Sequence, residues 1–215
     1  MHHQISLFPL PELEADFTAD DWETPNDIAR AMAALVKTSD RRVLEPAAGS
    51  GQIAQFLPTG SFCCEIKPYR VSLGRKKAAQ CHWIQSDFLE LDRESPLLRD
   101  IEQLTQGYDL IITNPPFSQC IQFLQQGLKL LDRNNPDARL LYLLPVDFCS
   151  SVERGQALRA LDCHIHHEYR ILNRVAYLRD GKAYKGRQIY DAVFDIRPGT
   201  QPGAISFLSI SSNKS

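Results

Sequence analysis

Asn114-Pro115-Pro116-Phe117 follows an apolar run, Asp109 to Thr113, and has the most sharply defined chemistry of any segment in this 215-residue chain. Two consecutive prolines fix their own φ angles and push the preceding residue into an extended conformation, so the Asn114 side chain is held rigidly where the run ends. The Asn114 amide oxygen and the Pro115 carbonyl can both accept hydrogen bonds from an NH2 group. Two such bonds would draw a planar amine toward tetrahedral geometry and expose its lone pair, preparing a weak nucleophile for methyl transfer. Phe117 adds a flat apolar face on which a base can stack. A plain strand-stopping loop is the competing reading of these residues.

Upstream, Glu45-Pro46-Ala47-Ala48-Gly49-Ser50-Gly51 fits a G-x-G turn without the third glycine of a dinucleotide fingerprint. Such a turn lets a ligand approach the backbone closely, and a nucleotide or a carboxylate suits it. By itself a tight structural turn explains it nearly as well. Glu65 follows at about the 20-residue spacing at which an acid can accept both ribose hydroxyls, and Asp87 closes the next apolar run. Singly, Glu65 reads as a solvated strand-end charge and Asp87 as a helix N-cap. Taken jointly, a glycine turn and two acids at the ends of successive strands describe the ligand crevice of an open α/β sheet.

The elements that must position these residues are legible in the hydrophobic pattern. After Thr24-Pro25, the residues Ile28, Ala31, Met32, Leu35 and Val36 recur at helical spacing. The run 41–46, the glycine turn and apolar Ile53, Ala54, Phe56 and Leu57 read as strand, turn and helix. Strands are then expected at 62–66, 81–85, 108–113 and 139–144, with helices at 69–79, 121–131 and 152–161 and an amphipathic stretch at 96–106. Strands alternating with helices imply a mostly parallel, doubly wound sheet. The segments 163–172, 189–196 and 204–210 look like strands without helices between them, so an antiparallel C-terminal edge is expected. Residues 1–20 read as a loose arm and 21–215 as a single domain.

Val43-Leu44-Glu45-Pro46-Ala47-Ala48-Gly49-Ser50-Gly51 is similar to the cofactor turn of S-adenosylmethionine-dependent, adenine-specific DNA methyltransferases. The tetrad at 114–117 resembles their N-P-P-[FYW] signature, and Trp22-Glu23-Thr24-Pro25 resembles the T-P segment that precedes the turn. The order of motifs is that of their gamma arrangement, nearest to the small stand-alone and phage-type enzymes, and the likeness spans about 21–196. It implies a Rossmann-like methyltransferase fold with S-adenosylmethionine as cofactor. Thr24 and Pro25 would border the methionine moiety, and Glu45, Ala47, Gly49 and Gly51 would form the turn. Glu65 with Ile66 would hold the ribose, Asp87 with Phe88 would address the adenine ring, and Asn114 to Phe117 would hold the target amine. The turn carries Ala47-Ala48 where many methyltransferases outside this group have an aspartate-led, more glycine-rich sequence.

A base-modifying enzyme must also grip phosphates. Basic residues interleaved with tyrosines between 170 and 187 suit that task, with Arg174, Arg179, Lys182, Lys185 and Arg187 as the expected contacts; a solvated hairpin loop is the alternative. Asn173-Arg174-Val175-Ala176-Tyr177-Leu178 resembles the arginine segment found late in the phage-type enzymes. Lys67, Arg70, Arg75, Lys76 and Lys77 read instead as the exposed face of a helix. DNA is the expected partner, RNA adenine or a protein glutamine amide an alternative acceptor, and a non-catalytic nucleotide-binding module the alternative outside enzymes. A formal net charge of −2 argues against a surface coated in nucleic-acid-binding charge, leaving only local basic patches. The six cysteines form no C-x-x-C pair and read as reduced thiols, with Cys120 as packing. His164 and His166 share a strand face, but no third ligand stands at zinc spacing, so no metal is expected. Without a secretory start, an apolar run of membrane length or any evident obligatory protein partner, the chain reads as cytoplasmic.

Overall fold

The computed structural model describes residues 22–91, 106–172, 176–179, 182–183, 190–199, 201 and 204–208. An eight-stranded sheet forms its centre, in the order β3-β2-β1-β4-β5-β9-β6-β10. The strands are β1 (Val43–Glu45), β2 (Phe62–Glu65), β3 (His82–Gln85), β4 (Leu110–Thr113), β5 (Arg139–Pro145), β6 (Cys163–Ile171), β9 (Asp191–Pro198) and β10 (Ala204–Leu208). A separate antiparallel pair is formed by β7 (Leu178–Arg179) and β8 (Lys182–Ala183). Every pairing in the large sheet is parallel except those of β9, which runs against both β5 and β6. The architecture is thus the expected doubly wound α/β sheet, and its reversed strand lies in the C-terminal part, with β6 and β10 beyond it.

Helices α1 (Asn26–Ala33), α2 (Pro68–Lys77), α3 (Cys120–Leu130) and α4 (Val152–Ala160) cover the sheet. In β5 the alternation of side chains sends Leu140, Tyr142 and Leu144 to one face, where Phe123, Leu124 and Leu130 of α3 meet them. Leu141 and Leu143 join Ile28, Ala29 and Met32 of α1 on the other face. This two-sided burial explains why β4 and β5 read as continuous apolar runs rather than as alternating ones. Leu35 and Val36 fall beyond the end of α1, in a tight turn that still packs on this second cluster.

The helix expected after the glycine turn is reduced to a single 3-10 turn, Ala54–Phe56. Pro58 accounts for the difference, because it forces Leu57 into an extended conformation with ψ of 156° and stops propagation. Donors at this turn are therefore backbone amides of the loop, not the N-terminus of a regular helix. The amphipathic stretch at 96–105 and the arm at 1–20 lie outside the described residues.

The end of the sheet away from the loops after β1, β2 and β4 is pinned by charge. Arg42 bonds both Asp109 and Asp132, at 2.6 and 2.7 Å. Burial alone would raise the Asp109 carboxyl, but hydrogen bonds from Arg42, from Asn135 and from the Arg41 and Arg42 amides hold it at about 2. All six cysteines are free thiols, and burial pushes both Cys64 and Cys149 up to about 12, where a thiol is inert. His164 reaches the Gly199 carbonyl through Nδ1 at 2.6 Å, and no group of three potential metal ligands occurs among the described residues. None of the described helices is long and apolar enough to cross a membrane.

Candidate active site

The sheet order reverses direction at β1: β2 and β3 extend to one side, β4 and β5 to the other. In an open α/β sheet the crevice at the carboxyl ends of such strands is where ligands bind. Here the register pairs Glu45 of β1 with Cys63, and Glu65 of β2 with Gln85. The strand ends therefore align, and Glu45, Glu65, Asp87 and Asn114 come to one rim. They surround a cavity of about 300 Å³ whose wall also includes Thr24, Ala47, Gly49, Ile66, Phe88 and Pro116.

Glu65 is buried and holds the turn in place: Oε2 accepts from the Gly49 amide at 2.8 Å and Oε1 from the Lys67 amide at 2.9 Å. Gly49 adopts φ of +54°, and an added Cβ there would meet nothing within 4 Å. Its bare backbone thus faces open space, as a cradle for a closely approaching ligand requires. Gly51, at φ of +86°, lies outside the wall and serves packing, since a Cβ would come within 3.3 Å of the Gly74 backbone and 3.4 Å of the Trp83 ring. Pro25 is likewise outside the wall; its carbonyl accepts the Ala29 amide at 2.9 Å and starts α1.

Glu45 is 2% exposed, and its Oε2 finds no hydrogen-bond partner. Burial raises this carboxyl well above its usual range, the charges of Cys81 and Glu65 raise it further, and a bond from the Ala54 amide offsets part of the effect. A buried acid with one oxygen left unpartnered in a cavity wall is an attractor for a cationic ligand group. Asp87 accepts the Leu89 amide at 2.9 Å, so it does cap the following 3-10 turn while also lining the cavity. Next to it, Phe88 packs on Phe123 with ring centroids 4.9 Å apart, giving the wall an aromatic side.

Asn114 closes the rim. Its Nδ2 donates to Thr24 Oγ1 at 3.2 Å, whereas Oδ1 is buried and has no partner. Leaving such an acceptor unsatisfied costs about 1–3 kcal/mol, so the site is built to receive a donor. Pro116 lines the cavity and its carbonyl accepts the Gln119 amide at 3.0 Å, starting the turn Phe117–Gln119. Phe117 is half-buried just outside the wall.

The sequence reading left several wall residues unmarked. Lys67 and Arg70 line the cavity instead of lying on an outer helix face, and Arg70 is 9% exposed. Phe123 and Gln119 follow the tetrad closely, and that spacing was the available signal. Trp22 and Glu23 also contribute. Glu23 exchanges backbone hydrogen bonds with Leu178 of β7 at 2.9 and 3.0 Å, and the Trp22 ring packs on Tyr177 at 6.4 Å. Of the five expected phosphate contacts, Arg179 and Lys182 pair across the β7 and β8 backbones beside this bridge. Arg174, Lys185 and Arg187 lie outside the described residues.

No protein-family model matches the chain, and no curated protein matches it in sequence. Solved structures do resemble it. A candidate class I S-adenosylmethionine-dependent methyltransferase from Listeria monocytogenes superposes with a TM-score of 0.64 at 14% identity, over 93% of this chain and 69% of that one. The fold is that of the S-adenosylmethionine-dependent methyltransferases. The methyltransferase subunit of a type I restriction-modification system from Streptococcus thermophilus gives 0.62 at 16% identity, over 90% of this chain and 48% of that one. For a candidate RNA methyltransferase from Pyrococcus horikoshii the values are 0.57 and 12%, over 81% and 82%. S-adenosylmethionine is accordingly the expected cofactor of this fold, and the bare Gly49 backbone, the Glu45 Oε2 without a partner and the Phe88 wall fit it.

Proposed function

We propose that this chain is an N-methyltransferase acting on a planar amino group, with the 6-amino group of adenine in DNA as its acceptor. The observation that carries the reading is the buried, unpartnered Asn114 Oδ1 on the rim of the cradle. When bound, S-adenosylmethionine supplies an electrophilic methyl group on a sulfonium sulfur. Glu65 and Asp87 offer carboxylate lone pairs for hydroxyl and amino groups of a nucleoside, and Glu45 offers a countercharge for a cation. Asn114 Oδ1 accepts one N–H of the amine and turns the nitrogen lone pair out of the plane. With the cofactor bound, the lone pair so exposed would face its methyl group, the new N–C bond would replace the S–C bond, and the amine proton would pass to solvent. Holding the reactants in line supplies much of the rate.

DNA is favoured over a protein acceptor by the basic β7–β8 pair, which is fastened to the rim of the cavity through Glu23 and Leu178. RNA adenine is the second reading, supported by the likeness to the Pyrococcus protein. The deciding experiment incubates the protein with methyl-labelled cofactor and unmethylated DNA, RNA or protein, then digests each to its components. Label in adenine of DNA is the expected result; label confined to another acceptor, or to none, overturns the assignment.

Two predictions test the cradle itself. Glu65→Gln retains the shape but places an NH2 against a backbone N–H and removes a charge-assisted bond, so affinity for adenosylhomocysteine should fall about tenfold to a hundredfold by calorimetry. Glu45 yields a pH signature. Its folded-state pKa is raised above the reference 4.5, so its contribution to stability is present below that value and is lost as pH rises toward the folded pKa. A bound cation favours the ionised form. The thermal stabilisation given by S-adenosylmethionine should therefore grow as pH rises above 4.5 toward the raised folded value, and Glu45→Gln should flatten that dependence.

A further inference from the structure

The amide of Asn114 can serve an amine in only one of its two orientations. With Oδ1 forward it accepts an N–H; turned over, it presents two donors to a group that is itself a donor. The prolines that follow hold the backbone of Asn114 but leave this last rotation undecided, because it concerns the side chain alone. A hydroxyl can donate or accept; in the pairing observed, Thr24 Oγ1, 90 residues away in sequence, accepts from Asn114 Nδ2 at 3.2 Å, and Oδ1 is the end left without a partner.

Thr24 is suited to this task because it is buried and its two neighbours are tethered. It is 4% exposed, and the residues on either side of it are fixed by backbone bonds, Glu23 to Leu178 and the Pro25 carbonyl to Ala29. Trp22 packs on Tyr177, which extends the hold one residue further. The hydroxyl is therefore presented from a strap anchored at both ends, and an ordered acceptor can orient an amide where a mobile one cannot.

We propose that Thr24 is the positioning residue of the methyl-transfer site: its hydroxyl fixes the Asn114 amide with Oδ1 directed to the acceptor amine. This rests on the N-methyltransferase reading and assigns Thr24 a task beyond bordering the cofactor. The strap 22–24 is part of the same device, since it fastens the orienting hydroxyl to β7, one strand of the basic β7–β8 pair.

The test compares Thr24→Val, which keeps the shape and removes the acceptor, with Thr24→Ser, which keeps the acceptor. For Thr24→Val, kcat measured at saturating cofactor should fall about tenfold to a hundredfold, while the KM for the acceptor stays within about twofold. Thr24→Ser should restore kcat to within about threefold of the unaltered chain. Thermal unfolding of both variants separates loss of fold from loss of orientation. Equal turnover of Thr24→Val and the unaltered chain, or a Thr24→Ser as slow as Thr24→Val with its fold intact, overturns the proposal.

A second measurement does not depend on turnover. The side-chain NH2 resonances of Asn114, identified by their disappearance in Asn114→Asp, should exchange slowly in the unaltered chain and in Thr24→Ser, and quickly in Thr24→Val. Fast exchange in the unaltered chain overturns the contact. An unaltered chain that binds cofactor, has slow Asn114 amide exchange and methylates no amine would instead remove the proposed function while leaving the Thr24 contact standing.

Discussion

Asn114→Ala should lower methyl transfer by at least about a hundredfold, the scale on which a preorganised hydrogen-bonding group acts at a reacting centre. Affinity for adenosylhomocysteine should change by no more than about threefold, because the charged groups of the wall, among them Glu45, Glu65 and Asp87, stay in place. The reason lies in the present state of the Asn114 oxygen, which is buried without a donor. Truncation removes an acceptor left unpaired in the resting protein but also the Nδ2 bond to Thr24, so stability should change by no more than about 1 kcal/mol while turnover collapses. Paired calorimetry and single-turnover rates check both halves. Turnover near that of the unaltered chain would show that the amine is activated elsewhere on the rim.

Asp40→Ala should cost about 3–5 kcal/mol of folding stability, measured by urea unfolding. Asp40 holds the guanidinium of Arg139 through two bonds of 2.8 Å, with both side chains almost wholly buried. Removing the carboxylate strands a buried cation at the first residue of β5. Asp195 stands 3.9 Å away and can take up part of the charge, which places the expected loss toward the lower end of that range. Replacing the pair together by apolar residues of similar volume should be far milder than the single change, because the penalty lies in the uncompensated charge. A double-mutant cycle measures the difference.

Much of the architecture was written in local pattern. β4 and β5 are buried on both faces, so their residues are apolar without alternation, and α3 shows its buried stripe at Phe123, Leu124, Gly127 and Leu130. The strand ends that carry Glu45, Glu65 and Asn114 could be placed because proline or glycine follows each run or a turn adjoins it. The missing helix after Gly51 could not be inferred from apolar spacing, since Ile53, Ala54 and Phe56 suit a helical face and only the extended Leu57 before Pro58 ends it. Arg70 shows the limit of reading charge as exposure: among the cations on α2 it alone turns inward, where the cavity wall and the Tyr69 hydroxyl, 3.1 Å from its Nε, receive it. The bond between Thr24 and Asn114 left no mark in sequence at all, because a pairing over 90 residues depends on how two loops meet above the sheet.

The bridge between Glu23 and Leu178 has a consequence for the growing chain. Domains generally begin to fold as they leave the ribosome, at roughly 5–20 residues per second. The turn 45–51, Glu65 and Asp87 can meet as soon as β1 to β4 have emerged, so a cradle can form early. The strap waits for β7 and so closes much later, with a loop-closure cost that grows only slowly with length. During synthesis the chain therefore passes through an interval in which the turn, Glu65 and Asp87 are all present while the strand that fastens Glu23 is not, and the rim is completed by its partner most distant in sequence.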